Sequence, residues 1–268
     1  NATSVLLTFF PHPRMVLQKD AAIKLINTID ERIQLLEKLG LEALVIQPFT
    51  EAFSELSAAD FVATILIHKL HISKLFIGYD HHFGKNREGN FEKLEKYGIL
   101  NHFKVEEISQ QDINDIAVSS TKIRKAIEQG QIEKANDYLG YPFMLTGEVV
   151  KGKNLGEKIG FPTANLNVKE TYKLVPKTGA YVVKSNIDNT PVYGMMNIGF
   201  RPTVSGVNQT IEIHFFDFNQ NLYGKIIQVE VLCFLRNEQK FESVVALQQQ
   251  LIKDQQKALE VIHGTFFE

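Results

Sequence analysis

The sequence predicts an α/β chain in two parts: a parallel-sheet α/β domain over residues 1–142, then a small antiparallel β-barrel with one C-terminal helix over residues 143–268. Three observations carry that expectation. Through the first half, short apolar runs alternate with capped amphipathic stretches, the pattern of βαβ units whose sheet is covered on both faces. From Phe143 onward the helical spacing gives way to short alternating runs divided by Gly, Pro and Asn turns, as in small barrels. Between the two, Gly140-Tyr141-Pro142 breaks the helical period where a boundary is expected. At 268 residues the chain is long enough for each part to bury its own core.

The first half justifies its elements in order. Thr3 to Phe10 is β-branched and aromatic, a strand closed by the rigid turn Pro11-His12-Pro13, which sets one imidazole just past the strand's carboxyl end. Thr28-Ile29-Asp30-Glu31 has the capping-box pattern for a helix to about Leu39, with Gly40 as its stop. Ala43 to Gln47 is the second strand, Ser57-Ala58-Ala59-Asp60 opens a helix to about Leu70, and Leu75 to Ile77 is the third strand. A helix near Phe91 to Tyr97 and a fourth strand, Phe103 to Ile108, complete the alternation.

Ligands of such sheets bind beyond the carboxyl ends of the strands, which singles out Phe10 to Pro13, Gly78 to Gly89 and the turn before Ser119. The run Asp80-His81-His82 carries ligand types found in metal-dependent phosphoesterases, but only His12 is similarly placed to complete a metal site. A mobile loop that contacts a ligand is the preferred reading. Ser119-Ser120-Thr121-Lys122-Ile123-Arg124 puts three hydroxyls and two cations at a helix N-terminus, where free N–H groups and the dipole already favour an anion; a plain Ser cap is the alternative.

In the second half, Met144 to Val150, Ala180 to Ser185, Val192 to Ile198, Thr210 to Phe218 and Lys225 to Phe234 read as strands, and Phe241 to Ile262 as the closing helix. The stretch Gly147 to Asn165 holds four glycines and three lysines in nineteen residues, a composition suited to phosphate. Gly147-x-x-x-x-Gly152-Lys153 fits a Walker A loop until Asn154 stands where Ser or Thr should be, and Gly156, Gly160 and Pro162 would break the helix that such a loop opens. A nucleotide loop of another kind and an ordinary glycine-rich connection both fit. In Thr210-Ile211-Glu212-Ile213-His214-Phe215 the period of two places Glu212 and His214 opposite the isoleucines. An exposed Glu212 is merely solvated; one facing a cleft beside the glycine-rich loop is a general base for a substrate hydroxyl.

Bulk properties exclude several classes. Lys plus Arg number 29 against 31 Asp plus Glu, for a net charge of −2, so nothing points to nucleic acid or a membrane surface. The single cysteine, Cys233, sits in an apolar run and fits a reducing, cytoplasmic compartment as a small core residue. No membrane-length apolar run or signal peptide is visible, and Asn1-Ala2 has the look of an expression scar.

Several of these motifs, in this order, resemble the bacterial bifunctional riboflavin kinases and FMN adenylyltransferases (FAD synthetases). In the second half they are Gly160-Phe161-Pro162-Thr163-Ala164-Asn165, Asn197-Ile198-Gly199-Phe200-Arg201-Pro202-Thr203, Glu212 with Phe216-Asp217-Phe218, and Phe234-Leu235-Arg236; in the first half they are Phe9 to Pro13, Gly78 to Gly84 with Gly89, and Ser119 to Arg124. The resemblance implies a Rossmann-like nucleotidyltransferase domain followed by a flavokinase barrel. It implies that Gly147, Lys151, Gly152, Lys153 and Gly160 form the ATP loop, that Thr163 and Asn165 hold Mg2+ and the phosphates, and that Glu212 takes the proton of the riboflavin 5′-hydroxyl. His12, Asp80, Ser119, Ser120, Thr121 and Arg124 would serve ATP and flavin in the adenylyltransferase part. ATP, riboflavin and FMN are the implied small-molecule substrates and FAD the second product.

That family's first domain opens with a His-x-Gly-His motif that this sequence does not contain. About one strand and one helix are accordingly expected before Thr3. The expectation is a competent riboflavin kinase with poor adenylyl transfer, in which the sheet edge left open promotes self-association. A non-catalytic flavin- or nucleotide-binding protein and a metal-dependent phosphoesterase are the rival readings, and neither accounts for the motifs in both halves.

Overall fold

The structure, a computed structural model, describes residues 2–18, 23–78, 81–109, 112–113, 116–152, 155–203 and 206–266. Backbone contacts divide the chain into two units, one formed by the residues up to Ile23 with Ile29–Val118, the other by Lys24–Thr28 with Ser119 onward.

In the first unit, strand β1 (Val5–Phe10) leads through helices α1 (Pro13–Leu17) and α2 (Ile29–Lys38) to β2 (Ala43–Pro48), which lies parallel to β1. Helices α3 (Glu51–Ser54) and α4 (Ala58–Phe61) precede β3 (Lys74–Gly78), and α5 (Phe91–Asn101) precedes β4 (Lys104–Ile108), parallel to β3. A short hairpin, β5 (Asp112–Ile113) with β6 (Ile116–Ala117), follows. The expected parallel architecture is present, and among the described residues its ladders are the two pairs β1–β2 and β3–β4. One apolar cluster underlies both: Leu7 and Phe9 of β1 pack against the group that contains Ile77, Phe61, Val62, Ile65 and Leu66.

Two local expectations are corrected. The helix that Ser57 starts, its hydroxyl accepting from the Asp60 N–H at 3.0 Å, does not run on as an α-helix: Val62–Lys69 is π-helical, a wider ladder that an apolar run does not announce. The described part of the loop after β3 is also tied down rather than loose. Phe83 and Gly89 exchange backbone hydrogen bonds at 2.8 and 3.1 Å, Phe83 is buried, and the Glu88 carboxylate accepts from the Ala58 N–H at 2.7 Å.

The second unit begins with α6 (Ser120–Glu128) and α7 (Ile132–Leu139). Asn136 of α7 accepts from the Phe143 N–H at 2.7 Å and donates to the Val231 carbonyl at 2.9 Å, so this helix is fastened to the β-structure that follows. That structure comprises β7 (Phe143–Val150), a single helical turn α8 (Leu155–Lys158), β8 (Ala164–Asn167), β9 (Gly179–Ile187), β10 (Thr190–Thr203), β11 (Gly206–Phe215), β12 (Ile226–Asn237) and the long helix α9 (Val244–Phe266). The strands close into a barrel in the order β10-β11-β8-β7-β12-β9.

Cross-strand partners share a face, so the fully buried Leu145, Tyr181, Val183, Met196, Ile198, Ile213 and Val229 fill the interior. The alternate residues Ala180, Val182, Met195, Cys233 and Leu235 form an outer layer that α9 covers with Ala258 and Ile262. Helices were not expected between Phe143 and Glu242; α8 is one turn long, and Gly160, at φ +84°, provides the left-handed turn after it. Residues 24–28 join this unit as a strap: Leu25 bonds to Tyr172 and Leu174 through its backbone, and the buried Lys173 ammonium donates to the Ile26 carbonyl at 2.6 Å.

Candidate active site of the barrel

The register of the barrel assembles the site. Asn165 of β8 stands opposite Glu212 of β11, Glu212 opposite Asn197 of β10, Asn197 opposite Ala180 of β9, and Ala180 opposite Arg236 of β12. These five positions form one row across five strands on the outer face, since partners in a ladder project to the same side. Glu212 thus lies between two carboxamides, and all three side chains are half-buried. The predicted alternation holds: Ile211, Ile213 and Phe215 are buried and Glu212 and His214 face the other way.

The glycine-rich stretch reaches this row from both ends. Lys151 and Gly152 follow β7, and a β-carbon on Gly152 would lie 2.1 Å from Asn165 Nδ2, so any other residue there would displace the Asn165 side chain. Gly147 is placed differently from expectation, inside β7 and paired with Ile227; a β-carbon there would meet the Asn167 carbonyl oxygen at 2.5 Å. Its glycine therefore serves strand packing. Lys153 lies outside the described residues.

At the other end, Ile159 and Phe161 are buried in the layer under α9, and Gln248 of that helix donates to the Ile159 carbonyl at 3.1 Å. His214, next to Glu212 on the same face, bonds through Nδ1 to the Pro162 carbonyl oxygen at 2.8 Å and sets its ring edge-on to Phe161 at 5.2 Å. A carbonyl only accepts, so Nδ1 carries the proton. Three contacts therefore fix the segment that ends in Thr163-Ala164-Asn165. The role of His214 was not recognised in the sequence, although its place beside Glu212 was the available signal.

Thr163 also lines a cavity of about 150 Å³ with Val149, Pro162, Ala164, Ile213, Phe215, Phe218, Leu222, Tyr223 and the amides Gln220 and Asn221. Glu212 is not in that lining. Thr163 lies two residues before Asn165, so the chain passes from the cavity lining to the polar row there. The Thr163 hydroxyl and the Asn165 carboxamide are hard oxygen donors of the kind that hold Mg2+ jointly with nucleotide phosphates, and the Asn165 carboxamide packs closely under the Gly152 backbone.

The residues expected to serve adenylyl transfer are distributed over both units. His12 belongs to the first, where its Nδ1 accepts from the Arg14 N–H at 3.2 Å and caps α1. Asp80 lies outside the described residues. Ser119 belongs to the second unit and caps α6, accepting from the Lys122 N–H at 3.3 Å; Ser120 and Thr121 are exposed, and Arg124 Nε donates to the Lys24 carbonyl at 3.1 Å. Among the described residues no three His, Cys, Asp or Glu side chains cluster as a metal site.

With this geometry in view, known proteins give the site a lineage. The riboflavin kinase family model matches residues 139–262 and the FAD synthetase family model residues 1–122. A bifunctional riboflavin kinase/FMN adenylyltransferase of Listeria monocytogenes is 37% identical over 255 residues, 94% of this chain and 80% of that protein. Proteins of the same name from Bacillus subtilis and Escherichia coli are 36% and 33% identical, covering 96% and 97% of this chain and 82% and 83% of theirs. A crystal structure described as a macrolide-efflux protein from Streptococcus pneumoniae superposes with a TM-score of 0.87 at 31% identity, over 96% of this chain and 83% of that one. Among the described residues no helix is long and apolar enough to cross a membrane. The chain belongs to the bifunctional riboflavin kinase/FMN adenylyltransferase family.

Proposed function

We propose that residues 143–268 transfer the terminal phosphoryl group of ATP to the 5′-hydroxyl of riboflavin, and that residues 1–142 carry the adenylyltransferase part, which joins FMN to ATP to give FAD and diphosphate. The observation that supports the kinase reading most is the placement of Glu212 between Asn165 and Asn197, on the strand beside the one that Thr163 leads into. In this reading the nucleobase occupies the apolar cavity, with Gln220, Asn221 and Tyr223 supplying polar contacts, and the phosphates run past Thr163 toward Asn165, Lys151 and the Gly152 backbone.

Glu212 accepts the proton of the riboflavin 5′-hydroxyl as that oxygen bonds to the γ-phosphorus, the bond from the γ-phosphorus to the β,γ-bridging oxygen breaks, and ADP leaves. His214 keeps Pro162 and Thr163 in place without touching substrate. Thr163 and Asn165 would hold Mg2+, whose charge, when bound, offsets that of the phosphates. The same reading places the reaction in the cytoplasm and lets copies associate through exposed apolar side chains of the first unit such as Phe76 and Ile99. The test is incubation of the chain with riboflavin, ATP and Mg2+: ADP should form in an amount equal to FMN plus any FAD made from it. ADP without FMN or FAD, or flavin bound but unchanged, would refute the kinase reading and favour a binding protein.

A further inference from the structure

The far end of the row is closed by a buried ion pair. Arg236 Nε lies 2.9 Å from both carboxylate oxygens of Asp254 on α9, and Nη2 lies 2.7 Å from Oδ2. Asp254 is 4% exposed and also accepts from Gln250 at 2.9 Å. The remaining nitrogen, Nη1, donates to the Asn237 carbonyl at 3.0 Å, and the Asn237 side chain accepts from Lys177 at 2.6 Å. The turn that leaves β12 is therefore held at its first residue. It carries Glu238 to a position where Oε1 is 2.3 Å from the place a Gly199 β-carbon would occupy, with Asn197 Nδ2 at 3.2 Å from that same place. Gly199 pairs with Thr210, two residues before Glu212, so by strand spacing and rise Glu238 stands over a point roughly 8 Å from the general base.

We propose that Arg236, locked by Asp254, is a positioning residue of the kinase reaction. It fixes the turn from Asn237 so that the Glu238 carboxylate lies over Gly199 and accepts a hydrogen bond from an N–H or O–H donor of the flavin, remote from the hydroxyl that Glu212 faces. This rests on the kinase reading above. Buried charge pairs are retained where they specify one geometry, and the guanidinium fork suits that use because one nitrogen is left over for the turn. Lysine at this position keeps the charge opposite Asp254 but not the fork.

The test compares the 268-residue chain with Arg236→Lys, Glu238→Gln and Gly199→Ala, using circular dichroism to show that each is folded and measuring the KM for riboflavin and for ATP separately. All three variants should raise the riboflavin KM about tenfold, the scale of one hydrogen bond to a charged group, and leave the ATP KM unchanged. With N3-methylated riboflavin the Glu238→Gln effect vanishes if the donor is the ring imide and persists if it is a ribityl hydroxyl. A folded Arg236→Lys or Glu238→Gln with an unaltered riboflavin KM overturns the proposal. So does a variant whose kcat falls only as its folded fraction falls. If the unsubstituted chain makes no FMN, the kinase reading fails and this one with it.

Discussion

Individual residues decide what the barrel can do. Glu212 was visible in the sequence because a carboxylate in an alternating apolar strand stands out, and Thr163 and Asn165 because they end a glycine-rich run. Their meeting place was not visible, because it depends on which strands become neighbours. Asn165 also bears a specific prediction. If it helps hold Mg2+ under Gly152, Asn165→Ala should raise the Mg2+ concentration needed for half-maximal FMN formation by roughly 10–100-fold, the scale on which neighbouring groups tune metal affinity. An unchanged Mg2+ requirement would remove Asn165 from that role. Cys233 is the contrasting case. Burial is the main reason its thiol is pushed up to about 11, with the charge of Glu133 adding to it, so almost no thiolate exists at neutral pH. A maleimide should leave the folded protein unlabelled and react fully once it is denatured; rapid labelling of the native chain would contradict the placement of Cys233 under α9.

At the level of elements, the alternating strands and the capped helices were readable, whereas β8, α7 and α8 were not. β8 has four residues, three of them small or polar, so it shows no apolar period; its place in the sheet comes from partners on β7 and β11. The π-helical continuation after α4 was equally silent. Gly147 illustrates why composition misleads: in a phosphate-like stretch, it is spent on letting β7 approach β8. Gly147→Ala should destabilise the protein by about 1–3 kcal/mol, as overpacking does, seen as a lower midpoint in urea. A midpoint equal to that of the parent would show that the two strands have room. For α9, Asp254→Ala strands the Arg236 charge at a buried site and should cost about 3–5 kcal/mol in the same experiment. A loss below 1 kcal/mol would mean that the pair is solvated.

For the whole molecule, the sequence shows an α/β part followed by a barrel and sets the change of period near Phe143, whereas backbone contacts group Ser119 onward, with Lys24–Thr28, with the barrel; the family models match residues 1–122 and 139–262. Two features escaped because they join distant stretches of chain. The strap Lys24–Thr28 leaves the first unit to pair with Tyr172–Leu174, and no local pattern marks it. The row Asn165, Glu212, Asn197, Ala180, Arg236 spans most of the second half, and only barrel closure brings it into line. Glu212 is the member of that row to which the proposed reaction assigns the proton transfer. The most direct test is therefore the turnover of riboflavin to FMN by the intact chain beside its Glu212→Gln variant, at saturating ATP and Mg2+. Loss of a general base should lower kcat by roughly 10²–10⁴ while the variant still binds riboflavin and ATP. A Glu212→Gln protein that phosphorylates riboflavin at the parent rate would contradict the account.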